Sequence, residues 1–218
     1  MSRFGLGLRF ELGLRTGRPT LGLALAYGLF ALTFRGPRPR FWQRMTATGV
    51  ILGGLALATD SRLRRPRLGL RDVLLGLLSA AGLYVVFQVG DRLARRLLRQ
   101  GGQEIADIYA LRQLRPQWEI AARLAAIVGP AEELFWRGYV MRPLTRRLGR
   151  WRGAAVASAL YGGAHVVTGN LTLTGAASIA GLYWSVLGAI GLPMPALIVS
   201  HIAWDIWIFL VQPTNARA

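Results

Sequence analysis

From Gly153 to Trp204 the chain carries no Asp, Glu, Lys or Arg. That run is long enough for two membrane spans of about 20 residues each. A soluble domain of 218 residues has no use for such a stretch. The rest of the chain is strongly charged: 27 basic residues, every one arginine, against 10 acidic ones give a net charge of +17, alongside a mean hydropathy of +0.36. A charge of that size points to nucleic acid or to an anionic membrane. Apolar runs interrupt the arginines, which are not pooled with aromatics on one soluble face. The expected partner is therefore the lipid bilayer, with anionic-lipid contacts, and nucleic acid is not expected. The absence of cysteine excludes disulfides, thiolate metal sites and cysteine nucleophiles.

Three further apolar segments precede the long run: Thr20 to Phe34, Met45 to Thr59 and Val73 to Gly90. The first two would cover only about 22 Å, so they need snorkelling flanks or a locally thinned bilayer. Ile120 to Met141 is apolar apart from Arg123, Glu132, Glu133 and Arg137, and the long run divides into roughly Gly153 to Asn170, Leu171 to Ile190 and Pro193 to Val211. The expected fold is all-α, a polytopic transmembrane bundle of about seven helices. Between Asp91 and Glu119, apolar pairs alternate with charges at helical spacing around Gly101-Gly102, which predicts two short amphipathic helices at the interface. No cleavable signal is evident before Thr20.

Arginines fill the gaps, as positive loops do: Arg35 to Arg44, Arg62 to Arg71, Arg92 to Arg99 and Arg142 to Arg152. Both sides of Met45 to Thr59 are basic, so either that segment is re-entrant or one positive loop faces outward. Trp42, Trp136, Trp151 and Trp207 lie near span ends, where an interfacial aromatic belt belongs; core tryptophans are the alternative.

Ionisable residues at membrane depth are costly and mark function. Glu133 and Arg137 stand at i and i+4 with the acid first, the favourable order for an ion pair. Glu132 is rotated away from that pairing, so the segment supplies one paired carboxylate and one free one. Structural bridging of both acids to Arg123 or Arg137 is the alternative. Gly129 and Pro130 are expected to kink or restart the helix just before the acids. The only two histidines, His165 and His201, fall within the charge-free run, and each has an i,i+4 companion, Tyr161 and Asp205 respectively. Glycines around His165 and the small-residue stretch Gly175 to Gly181 allow close helix approach.

Glu132-Glu133-Leu-Phe-Trp-Arg137 followed by Gly138 resembles the EExxxR motif of the CPBP intramembrane proteases, the CAAX prenyl protease 2 (Rce1-like) and Abi group. Tyr161 and His165 match an aromatic four residues before a histidine, commonly phenylalanine in that family. His201 to Asp205 matches a terminal HxxxN or HxxxD, with aspartate where asparagine is commoner. The resemblance covers Glu132 to Asp205 and implies an intramembrane endopeptidase acting on a membrane peptide or protein near the bilayer surface. It implies that Glu132 and His165 activate water and that His201 and Asp205 orient substrate or stabilise the oxyanion, with Glu133, Arg137 and Tyr161 supporting the site. Residues 1–119 then form N-terminal spans and a connector, and 120–211 the catalytic core, within one integrated membrane domain. Glu132, His165 and His201 would also satisfy a three-ligand zinc site. No HExxH helix is present, so a metal-independent glutamate mechanism, without cofactor, is preferred. A non-catalytic scaffold or immunity-type protein of the same fold, and a small proton-coupled transporter, are the alternatives. Composition rich in Ala, Leu, Gly and Arg points to a bacterial cell membrane.

Overall fold

The computed structural model describes the backbone of residues 4–64, 67–97 and 101–212 and the side chains of 20–64, 67–90, 104 and 106–212. Every regular element within them is helical: α1 (Phe4–Arg35), α2 (Phe41–Thr59), α3 (Leu70–Leu97), α4 (Gly101–Tyr109), α5 (Gln117–Arg123), α6 (Gly129–Glu133), α7 (Arg142–Leu148), α8 (Arg150–His165), α9 (Leu171–Ile190) and α10 (Met194–Ile206). Wide π-helical turns join α5 to α6 (Leu124–Val128) and α6 to α7 (Leu134–Met141), and a third, Trp207–Val211, extends α10.

Among the described residues three stretches are long and apolar enough to cross a membrane, Leu70–Gly90, Leu171–Ile190 and Met194–Val211, and Thr20–Arg35 is a shorter apolar stretch. Large apolar side chains point outward from them: Leu78 is 70% exposed and Leu182 51%. In water that pattern would invite aggregation; in a helical membrane bundle it is the lipid-facing surface.

Local chemistry explains the best-defined ends. Asn170 caps α9 by accepting the Leu173 amide at 2.7 Å, and Gly191, at φ 100°, closes its other end in a left-handed conformation that a side chain would resist. Pro193, with its fixed φ, then starts α10. Small residues set the helix spacing. A Cβ on Gly162 would collide with Ser178 of α9, and one on Gly181 with the Tyr161 ring. This antiparallel α8–α9 contact brings the two backbones together as small-residue packing does in lipid. In parallel fashion α3 meets α10, where the Ser79 and Ser200 hydroxyls bond at 3.0 Å and Phe87 packs on Trp204.

Several expectations are corrected. The Met45 to Thr59 segment is part of one unbroken 19-residue helix, α2, that starts four residues earlier, at Phe41. Arg44 permits this by folding back onto the carbonyls of Thr33 and Pro37, at 3.1 and 2.8 Å. The first of the two predicted amphipathic helices is the continuation of α3 to Leu97, and the second begins at Gly101 instead of breaking there. The side chains of Arg92, Arg95 and Arg96 lie outside the described residues, as do Arg65 and Arg99 entirely. The aromatic belt holds only in part. Trp151 (57% exposed) and Trp207 face outward, whereas Trp42 and Trp136 (1%) are core residues. Trp42 donates to the Leu111 carbonyl and packs with Ile120 and Leu124.

Candidate active site

The Gly129-Pro130 pair sits where the helix changes gauge. Proline at the start of α6 cannot donate the backbone bond of a continuing α-helix, and the π turn before it absorbs the mismatch. A second π turn begins directly after Glu133. Such turns recur where side chains must be re-aimed at a functional site. Here they present two adjacent carboxylates between two apolar clusters, one built on Phe30, Trp136 and Tyr161 and the other on Leu83, Trp184 and Trp204.

The two acids have different partners. Glu133, 0% exposed, takes an ionic hydrogen bond from Arg137 Nη1 at 3.0 Å. The same Oε1 stands 2.7 Å from His201 Nδ1. A carboxylate paired with arginine only accepts, so Nδ1 carries the proton there and donates it to Glu133. Arg137 is held in turn by the Gly181 carbonyl at 3.0 Å and lies over the rings of Tyr161 and Trp184, at 5.0 and 5.4 Å from their centroids. Glu132, 7% exposed, has no arginine partner among the described residues. Its Oε2 accepts the Tyr161 hydroxyl at 2.9 Å and lies 3.9 Å from His201 Nε2. Arg123 belongs to neither acid, since it pairs with Glu119 at 2.8 Å and donates to Thr46.

His201 is the hub. Its ring stacks on Trp184, with centroids 4.1 Å apart and planes 13° from parallel. With Nδ1 engaged by Glu133, Nε2 faces Asp205 at 3.5 Å and Glu132 at 3.9 Å. Behind the stack, Trp184 donates to Ser200 and Ser200 bonds Ser79, a buried chain that fixes the indole. His165 is set apart. Its Nδ1 donates to the Tyr161 carbonyl one turn back at 3.0 Å, which leaves Nε2 as its lone pair. The ring packs against Phe30 at 5.1 Å and Tyr161 at 4.9 Å and bonds to neither glutamate.

The structure therefore brings Glu132, Glu133, Arg137, Tyr161, His201 and Asp205 into one buried cluster and attaches His165 to it through Tyr161. Sequence reading found the Glu133–Arg137 and His201–Asp205 pairs by helical spacing. It did not find the Glu133–His201 bond, which joins residues 68 positions apart, nor the role of Trp184, whose one signal is a large indole in a helix of small residues. Among the described residues no three His, Cys, Asp or Glu side chains group as a metal-holding set. Of the alternative zinc set, Glu132 and His201 lie near each other, whereas His165 bonds to neither glutamate.

The fold and this cluster define the class: a helical membrane protein with paired carboxylates and histidines buried inside the bundle. Residues 115–207 match the family described as type II CAAX prenyl endopeptidase Rce1-like, and over that stretch the chain is similar to it. No curated protein and no solved structure was found to match.

Proposed function

We propose that this chain is an intramembrane endopeptidase, a multi-pass helical bundle in a bacterial cell membrane, that hydrolyses a peptide bond of a membrane peptide or protein near the bilayer surface. The observation that carries the reading is the Glu132 carboxylate: buried, aligned by Tyr161, paired with no arginine among the described residues and 3.9 Å from a histidine nitrogen. A carboxylate so placed suits a general base. Glu132 takes a proton from water, and the hydroxide adds to the scissile carbonyl. The tetrahedral oxyanion then collapses with cleavage of the C–N bond, and the proton returns to the leaving amine. His165, with its Nε2 lone pair, assists in moving that proton. His201 orients the substrate or donates to the oxyanion, with its ring fixed by Glu133 and Trp184. Asp205, ionised, would repel an oxyanion, so its part is to orient His201. No step needs a metal ion.

Whether a prenylated protein, a leader peptide or an unlipidated membrane peptide is cut depends on the host. The chain reconstituted into vesicles with a panel of such peptides is the direct test. Cleavage is expected to persist in EDTA and to vanish in Glu132→Ala while membrane insertion stays intact. A fully active Glu132→Ala protein sinks the mechanism, and loss of activity on chelation, restored by zinc, sinks its metal independence.

A further inference from the structure

A second polar feature adjoins the acid–histidine cluster and shares Arg137 with it. The loop before α3, the α7–α8 turn and the α9–α10 turn come together at one end of the bundle around a cleft of about 680 Å³. The α9–α10 turn joins two helices long and apolar enough to cross the bilayer, so this end stands at the membrane surface. Arg62, Arg67, Arg142, Arg146 and Arg150 line it, with the buried Arg137 among them.

The charges there are not balanced. Arg142 is paired with Asp60 at 3.0 Å and Arg137 with Glu133. The one lining acid, Asp72, accepts the Gly69 amide at 3.0 Å. Among the described residues Arg62, Arg67, Arg146 and Arg150 make no ion pair, and four cations facing one hollow repel one another. The Nε of Arg137, a side chain only 3% exposed, also has no hydrogen-bond partner. The remaining wall is apolar: Met141, Leu192, Met194 and Leu197.

We propose that this cleft binds a phosphate-bearing anion, with the headgroup of an anionic phospholipid seated among the arginines and its acyl chain along the methionine and leucine wall. Planar guanidinium groups match phosphate oxygens bidentately, and the apolar wall at the bilayer surface favours a lipid over a free phosphate. Bound there, the headgroup would neutralise the surplus charge and tie the α7–α8 turn to the α9–α10 turn.

The full chain purified in neutral detergent tests this. Thermal unfolding and native mass spectrometry are followed as phosphatidylglycerol, phosphatidylcholine or inorganic phosphate is added. Phosphatidylglycerol is expected to stabilise the protein saturably and phosphatidylcholine not at all. With roughly fivefold in affinity per surface arginine, Arg62→Gln/Arg146→Gln/Arg150→Gln should weaken phosphatidylglycerol binding about a hundredfold. Arg71→Gln/Arg147→Gln/Arg152→Gln removes the same charge from outside the cleft and should bind like wild type. If the cleft triple variant does not fold, Arg146→Gln alone, on an exposed side chain, should still show the roughly fivefold loss. Inorganic phosphate that displaces the lipid supports the oxyanion as the recognised group, and tighter binding of lipid than of phosphate assigns the apolar wall. Equal binding of the two overturns the acyl-chain half of the proposal. Equal losses in both triple variants, or an undiminished lipid response in the cleft variant, overturn the site.

Discussion

Glu132→Gln and Glu133→Gln each delete one negative charge from adjacent positions, yet the two surroundings predict opposite outcomes. Glu133 is 0% exposed, and its Oε1 serves both the Arg137 guanidinium at 3.0 Å and His201 Nδ1 at 2.7 Å. An amide leaves that guanidinium without a counter-charge in a dry interior. Hydrogen bonds to charged groups contribute about 1.5–3 kcal/mol each, and removing one side of a buried ion pair costs about 3–5 kcal/mol. Glu132 accepts a single bond from a neutral phenol, at 2.9 Å. The carbonyl of glutamine can accept the same bond, so the expected stability loss stays within about 1 kcal/mol. The gap between the variants is therefore about 3 kcal/mol, roughly a hundredfold in the folding equilibrium. Denaturant titrations of both proteins in one detergent, run beside peptide-cleavage assays, measure it. Glu132→Gln should unfold like the parent and cleave nothing, while Glu133→Gln should unfold far earlier. Equal destabilisation of the two, or a parental midpoint for Glu133→Gln, would refute the division of labour.

A methyl group on Gly181 collides with the Tyr161 ring, so Gly181→Ala should displace the hydroxyl that aligns Glu132 and lower the cleavage rate by at least about tenfold, read as kcat on the reconstituted protein. Trp184→Leu removes the ring stacked on His201 and the donor to Ser200; cleavage should fall while the helical circular-dichroism signal is kept, and unchanged kinetics would deny Trp184 a positioning role. At the other end of the bundle, Glu104 of α4 is held below the usual carboxylate range, first by the Thr172 hydroxyl and then by the Thr172 and Leu171 amides. A depressed folded-state value means that this contact stabilises above the usual carboxylate range and is lost as pH falls through the folded value. Protection of the α4 amides, taken relative to their intrinsic exchange rate at each pH, should therefore fall on acidification below about pH 4, and Glu104→Gln should show the reduced protection at neutral pH.

What the sequence disclosed and what it withheld divide along a physical line. Leu171 to Ile190 was delimited to the residue because its ends are set locally, by the Asn170 cap and by the left-handed Gly191. The Glu133–Arg137 pair was legible because one turn of helix dictates it. Phe41 to Arg44 was misassigned to a loop because counting charges treats every arginine as a boundary, whereas Arg44 folds back from α2 onto the carbonyls of Thr33 in α1 and Pro37 in the connector. Trp42 and Trp136 were placed at the interface by position along the chain, but burial depends on which helix face they occupy.

The least legible feature is also the one on which the chemistry turns. Spacing alone paired Glu133 with arginine and left both histidines to their own helices. Only the folding of α10 against α6 brings His201 to the same carboxylate oxygen. That contact requires Gly129, where a Cβ would press on Ile202 of α10, and it engages Nδ1, so Nε2 is turned toward Glu132 and Asp205. The glutamate that looks structural in sequence thus sets the ring orientation of the histidine beside the proposed base. Conversely, Glu132 owes its freedom to its neighbour: with Arg137 engaged by Glu133 and Gly181, no arginine among the described residues pairs with it. Two consecutive glutamates are needed because one carboxylate cannot hold a buried arginine and remain available to take a proton from water.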